Sequence, residues 1–243
     1  MTTDRQPPFP PLGFLRQRDA ELREEMDSPD ADPEALEATY GHFARVNTAV
    51  AGWRGVYEDH IRPLLSATKR THALDIGSGA GDIAAALARW ARADSLRLHI
   101  TALDPDPRAH NYATRHPSAL GVDYLQGHSA ELVARGAHFD IVISNHLLHH
   151  LSAAELQNLL SDSVALSRRL AIHSDIRRHP MAYALFSAGT LPWFRGSFIR
   201  HDGLASIRRS YTAQELAQVA PPGWTVETRP PFRNLLIHRG PDA

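Results

Sequence analysis

The sequence predicts an α/β fold built on a mostly parallel sheet, and three observations carry that prediction. An apolar run, Ala73, Leu74 and Ile76, ends in a glycine-rich turn, Gly77-Ser78-Gly79-Ala80-Gly81. The turn opens into a helical pattern with Ile83, Leu87 and Trp90 on one face. Four further strand-like runs, at 98–104, 122–126, 139–144 and 169–176, alternate with helical stretches, the signature of successive βα units. Two short strand patterns, 224–229 and 234–238, close the chain as an antiparallel pair with Pro230 and Pro231 at their turn.

Composition bounds the rest. A chain of 243 residues with 43% apolar content supports a sizeable core. Residues 1–66 read as a tail and helical arm, and 67–243 as the main domain, with an insertion at 178–211. A net charge of −1 gives no global field to recruit nucleic acid. No apolar run reaches the roughly 18 residues of a membrane helix. The start, MTTDRQPPFPPLGF, lacks a charged stretch followed by an apolar one, so a cytoplasmic protein without membrane insertion is expected. The absence of cysteine excludes disulfides and thiolate metal sites.

Within the arm, Pro7 to Pro11 cannot be helical, and a short helix is expected around Leu15 to Met26. Asp32 as cap and Pro33 at the first helical position start a stronger helix. One or two helices then cover 34–66, with Leu36, Tyr40 and Phe43 on one face. Asp104-Pro105-Asp106-Pro107 opens a helix running to Arg115. Ser152 and Glu155 form a capping box for a helix over 153–165. The insertion is too apolar for a plain loop. It predicts one helix, 180–188, and an irregular cap containing Leu191, Trp193 and Phe198. Thr212 caps a last helix over 213–219.

The glycine turn is flanked by two acids, Asp75 before it and Asp82 after it. A dinucleotide turn places a third glycine where Asp82 stands and presents a helix start to pyrophosphate. Two carboxylates there repel pyrophosphate and suit a positively charged ligand. Asp-x-Gly-x-Gly-x-Gly in this context resembles motif I of the class I methyltransferases that depend on S-adenosylmethionine (SAM). The resemblance covers about residues 36–240. It implies a Rossmann-like seven-stranded sheet in the order 3-2-1-4-5-7-6, with an N-terminal helical lid and an insertion after the fifth strand.

The same resemblance assigns the cofactor site. Gly77 and Gly79 let the backbone approach the ligand, with Asp75 beside them. Asp104 at the second strand end faces the ribose, next to Pro105, with Asp106 as a weaker rival. Family members commonly carry Gly-Asp-Ala after the third strand. This chain has Gly127-His128-Ser129, where a neutral imidazole nitrogen and the Ser129 amide stand in for the adenine contacts. Asn145 ends the fourth strand near the methionine part. Phe43-Ala44-Arg45-Val46-Asn47 is similar to a stretch of the ubiquinone and menaquinone methyltransferases, which implies Tyr40 and Arg45 as lid contacts.

His146, His149 and His150 follow the fourth strand. If a helix has begun there, His146 shares a face with both others, so spacing does not choose among them. The Leu-His-His-Leu element resembles small-molecule O- and N-methyltransferases in which the first histidine of the pair is the base, which implies His149, with His146 beside it. His173 and Asp175 alternate on the fifth strand and point to one side of the sheet. No cluster of acids of the metal-dependent kind is present, so no metal is expected. Arginines crowd residues 168–209 and read as a solvated face or an anion-recognising patch. Residues 172–216 are similar to a bacterial subgroup near polyketide and phenolic-lipid pathways. That implies O-methylation of a small aromatic acceptor by a monomer or homodimer, with S-adenosylhomocysteine (SAH) as product. C-methylation of a quinone precursor and non-catalytic SAM binding remain the alternatives.

Overall fold

The computed structural model describes residues 12–117, 119–190, 194 and 196–242, with the side chains of Leu12, 44–46 and 48–50 left out. The proline-rich start and Leu191 and Trp193 of the insertion lie outside the described residues.

Seven strands form one sheet: β1 (Thr71–Ile76), β2 (Leu98–Asp104), β3 (Val122–Gln126), β4 (Phe139–Asn145), β5 (Ser167–Ile176), β6 (Trp224–Arg229) and β7 (Arg233–Arg239). Their order is 3-2-1-4-5-7-6. The first five are parallel, and β7 runs antiparallel between β5 and β6. This is the Rossmann-like topology expected from the sequence.

Side chains alternate across the central strands. Ala73, Ile141, Ile143, Leu170 and Ile172 join one core with Ile83 and Leu87 of α3 (Asp82–Ala93). Leu74, Ile76, Val142 and Ala171 join another with Leu156 and Leu160 of α6 (Ala153–Leu166). Each buried Leu or Ile contributes about 1.5–3 kcal/mol. Helix α3 is rich in alanine, the best helix former, and its small residues let it lie close on the sheet. The capping box of Ser152 and Glu155 forms as expected.

The arm divides in two. Helix α1 (Pro33–Val50) is capped by Asp32, whose carboxylate accepts from the Ala35 amide. It stops before Gly52, which adopts φ +64°. Helix α2 (Trp53–Val56) continues through a wider turn to Ile61 and is built into the first core through Trp53, Val56, Tyr57 and Ile61. Helix α1 instead covers the glycine turn, where Leu36 and Tyr40 pack with Ala80 and with Ala109 of α4 (Pro107–Arg115).

Two expectations change. Residues 15–26 form no helix; short 3-10 turns at Leu12–Leu15 and Glu25–Asp27 bracket an extended strap. Tertiary partners hold it instead: Arg18 donates to the carbonyls of Arg209, His149 and Leu151. The insertion holds α7 (Pro180–Gly189), as expected, and also α8 (Ile199–Arg209). Helix α8 lacks a capping side chain of its own, so the sequence carries no start signal. Its first amide, of Phe198, donates instead to Thr39 Oγ1 on α1 at 2.9 Å. The remaining helices are α5 (Ser129–Ala134) and α9 (Ala213–Val219), the latter with the Thr212 capping box. No described helix is long and apolar enough to cross a membrane.

Candidate active site

One cavity of about 700 Å³ lies over the carboxyl ends of β1, β2 and β4, the position where open α/β sheets receive ligands. Helices α1, α7 and α8, the strap and the β6–β7 turn wall it in.

The glycine turn forms its floor. Gly77, Gly79 and Gly81 all take left-handed conformations, φ +67°, +55° and +75°, which explains their alternation. The amides of Gly77 and Ser78 donate to Leu103 O at 2.8 and 3.1 Å, which pins the turn to β2. A Cβ on Gly81 would stand 2.5 Å from Tyr124 Cε1, whereas one on Gly79 would project into open space.

Three carboxylates gather around this turn. Asp75 is 1% exposed, and neither of its oxygens has a hydrogen-bond partner among the described residues. Burial first, then the charges of Asp82 and Asp104, push its pKa well above the usual carboxylate range. Asp82 is raised too, mainly by burial, against the opposing 2.9 Å hydrogen bond donated by Asn47 Nδ2. Asp104 Oδ2 accepts from the Gly79 amide at 2.7 Å, and Oδ1 from the Asp106 amide at 2.9 Å. Burial raises its pKa against those two donors. Asp106, its rival, is occupied by Arg108, 2.7 Å away.

The histidines meet a different environment. No helix has begun at 146–150: His146 has φ +56°, and a 3-10 turn, Leu148–His150, precedes α6. The shared helical face that the spacing permits is therefore absent. His146 Nε2 accepts from Arg233 Nη1 at 2.6 Å. Burial and then Arg233 hold its pKa well below the usual value, so it is neutral and carries its proton on Nδ1. Arg233 is buried and also donates to Asn145 Oδ1 and Ser174 Oγ. Burial lowers its own pKa to about 10. Trp53 Nε1 donates to the same Asn145 oxygen at 2.9 Å.

His149 is 1% exposed and fully oriented by Asp175. Its Nδ1–H donates to Asp175 Oδ1 and its backbone amide to Oδ2, both at 2.8 Å. On the other side, Nε2 lies 3.3 Å from Glu24 Oε1 of the strap. Burial alone would lower the His149 pKa, but Asp175 and then Glu24 outweigh it and raise it to about 9. Burial likewise opposes ionisation of Asp175, yet the facing His149 keeps it below the usual range. Glu24, His149 and His150 place metal-type donors within 4.8 Å of one another. A guanidinium already stands against them: Arg209 Nη1 is 3.6 Å from Glu24 Oε1 and from Asp27 Oδ2.

Most of the expected site residues line this cavity: Tyr40, Asp75, Gly77, Gly79, Asp104, Pro105, Asn145, His146 and His149. Arg45 lies on α1, with its side chain outside the described part. His128 and Ser129 do not line it. His128 is exposed at the start of α5, and Ser129 Oγ donates away to Asp162 at 2.6 Å. His173 faces the core, bonded to Ser144 Oγ at 2.7 Å beside Trp224. Two arginines of the dense stretch are engaged internally. Arg178 is buried against Glu215 and the Leu15 and Ser210 carbonyls, and Arg208 pairs with Asp19 of the strap. Sequence reasoning missed Glu24, Asn47, Trp53 and Arg233, whose partners lie far along the chain and leave no local pattern.

Residues 73–169 match the family profile of a methyltransferase domain. The ubiquinone biosynthesis O-methyltransferase of Methylocella silvestris is 39% identical over 80 residues, 32% of this chain and 29% of that protein. The enzyme of the same name from Azorhizobium caulinodans is 30% identical over 131 residues, 53% of this chain and 48% of that protein. The chain thus spans less than half the length of the curated relatives it matches. Among solved structures, the plantazolicin methyltransferase BpumL in complex with SAH aligns with a TM-score of 0.59 at 11% identity, covering 89% of this chain and 92% of that one. The CurJ carbon methyltransferase aligns with a TM-score of 0.61 at 11% identity, covering 86% and 61%. At such identities these two likenesses speak to the fold alone. The match to a methyltransferase domain spans residues 73–169, which hold the acid-flanked glycine turn and the βα units that follow it.

Proposed function

We propose that this chain transfers a methyl group from SAM to a hydroxyl oxygen of a small aromatic acceptor, a phenol or hydroxyquinone. The observation that carries the reading is the juxtaposition in one cavity of a negatively charged, glycine-floored half and a histidine-bearing half with apolar walls. The first half fits the cofactor. Asp75 offers two unpartnered buried oxygens to a cationic ligand, Gly79 leaves the space above it open, and Asp104 retains acceptor capacity for paired hydroxyls. Tyr40 and α1 cover this half from above, in the role of a lid. When bound, SAM supplies an electrophilic methyl carbon on a sulfonium.

In the second half, Ala182, Leu185 and Phe186 of α7, Ile199 and Ile207 of α8, and Phe232 make apolar walls. They exclude water and suit a flat, apolar acceptor. Methyl transfer is chiefly a positioning task. An acceptor phenol, of pKa about 10, also has to give up its proton. His149 is the base in this reading, oriented by Asp175, and its raised pKa makes it a strong one once its own proton has left. His146, neutral with its Nδ1 protonated, serves as a hydrogen-bond donor.

A carbon acceptor is the second reading. Its supporting observation is that both His149 nitrogens already face carboxylates, which leaves no free base at neutral pH. The test is transfer of an isotopically labelled methyl from SAM to a panel of phenols, hydroxyquinones and their O-blocked analogues, across pH 6–10. Label on the oxygen of free phenols, with O-blocked analogues inert, is expected. Label on ring carbon would favour the second reading, and SAM binding without any turnover would point to a non-catalytic protein.

A further inference from the structure

Resting on the O-methyltransferase reading above, we propose that Glu24 is a positioning residue for the reaction. It closes the cavity side of His149 with a carboxylate, and an incoming acceptor hydroxyl must displace it before Nε2 can take the hydroxyl proton.

The burial of Glu24 is the first observation. It is 5% exposed while its neighbours Arg23 and Glu25 are exposed, so the strap turns this one carboxylate inward. A buried carboxylate is costly unless it is paired. Its partners are all on the acceptor side: Ser206 Oγ donates at 2.8 Å, His149 Nε2 lies at 3.3 Å, Arg209 Nη1 at 3.6 Å and His150 Nε2 at 3.7 Å.

The second observation is the looseness of the contact with His149. The Nε2 atom is buried, lies at ion-pair distance, and still makes no aligned hydrogen bond. The opposite nitrogen is locked by Asp175. One side of the ring is therefore fixed and the other is held by a carboxylate that can leave.

The third observation is where the strap is anchored. Asp202 on α8 accepts from the Glu25 and Met26 amides at 2.8 and 3.0 Å. Arg108 on α4, beside the cofactor half, donates to the Ser28 and Met26 carbonyls at 2.8 and 3.2 Å. Glu24, Met26 and Asp27 therefore lie across the cavity between its two halves.

The groups around His149 set the direction of the effect. Asp175 from β5 and Glu24 from the strap favour its charged form. Arg209 from α8 and Arg233 from β7 oppose that form or compete for its partners, and the His146 and His150 rings lie beside it. Removing Glu24 removes one of the two carboxylates in contact and leaves the cations in place. With Glu24 seated, Nε2 keeps its proton. On displacement that proton passes to solvent. The acceptor oxygen then gives its own proton to Nε2 and bonds to the methyl carbon, whose bond to sulfur breaks with the electron pair remaining on sulfur. One proton is released per turnover.

Glu24→Gln tests this, because it keeps the shape and removes the charge. In wild-type protein, kcat/KM for a phenol acceptor, which reports the free enzyme, should rise with pH to a midpoint near the His149 value of about 9. In Glu24→Gln the midpoint should fall by about one unit or more, with roughly tenfold faster turnover at pH 7. Glu24→Asp should restore most of the wild-type profile, and SAM affinity by calorimetry should stay unchanged in both. A uniform loss of rate at every pH, or an unmoved midpoint, would overturn the proposal. NMR titration of His149 in wild type and Glu24→Gln needs no acceptor, so it separates the two claims. A lowered imidazole pKa upholds the hold of Glu24 even if no phenol is methylated, and an equal pKa in both proteins removes it.

Discussion

The two halves of the cavity are built from opposite materials. On the cofactor half, the described carboxylates Asp75, Asp82 and Asp104 have pKa values pushed up, chiefly by burial. On the acceptor half, Glu24 and Asp175 are buried and Asp27 is exposed, yet burial is outweighed at all three and their pKa values fall because histidines and arginines face them. One half holds buried carboxylates whose ionisation the protein disfavours, Asp75 having no hydrogen-bond partner among the described residues. The other compensates its own charges internally. The difference teaches where a ligand contributes charge: a cation completes the first half, whereas a neutral acceptor has to enter the second without upsetting a balanced network.

That contrast can be broken from either side. The largest effect is expected for Gly79→Val. The substitution strains a φ of +55° and fills the one direction in which the turn is open, so SAM binding by calorimetry should be lost. Near-normal affinity would remove the glycine turn from the cofactor site. On the acceptor half, His149→Ala should slow phenol methylation by about 10²–10⁴ while SAM affinity stays within a few-fold. A parallel loss of SAM binding would mean that the halves are not separate. Asp104→Ala should weaken SAM by about 1.5–3 kcal/mol through lost charge-assisted hydrogen bonds. Part of that loss would arise indirectly, since Asp104 also holds the Gly79 and Asp106 amides.

The smallest effect is on stability. His149 has a raised folded-state pKa, so its contribution is complete below about 6.5 and is lost as pH rises through about 9. His173 is the reverse case: burial lowers it to about 3, so its contribution is present above 6.5 and fades as pH falls toward 3. The ligand-free unfolding midpoint should therefore drop by a few degrees between pH 6.5 and 9.5. In His149→Ala that alkaline drop should flatten, and calorimetry over this range checks it.

The same contrast explains what the sequence made legible. The cofactor half is local. Asp75, the three glycines and Asp82 fall within one strand–turn–helix, and Asp104 ends the next strand, so the pattern itself displays the site. The sheet order is what the family resemblance carried by this turn implies, and the seven strands adopt it. The acceptor half is assembled from distant pieces: Glu24 from the strap, His149 after β4, Asp175 from β5, Arg209 from α8 and Arg233 from β7. Only His149 and Asp175 stood out beforehand, His149 through its neighbours Leu148 and His150 and Asp175 through strand alternation. A helix capped from another element, as α8 is by Thr39, carries no start signal of its own. The strap was misread as a helix because its order comes from Arg18, Glu24 and Asp202 contacts and not from periodicity. His128 is exposed at the start of α5 and does not line the cavity.

The most direct test of the charge contrast is thermal unfolding with SAM, SAH and NAD, each in large excess. A ligand at 100 times its dissociation constant adds about 2.7 kcal/mol, a readable rise in midpoint. The acids around the glycine turn predict stabilisation by SAM, with SAH following through the ribose and ammonium contacts, and none by NAD, whose pyrophosphate they repel. Stabilisation by NAD and not by SAM would contradict the account at its root.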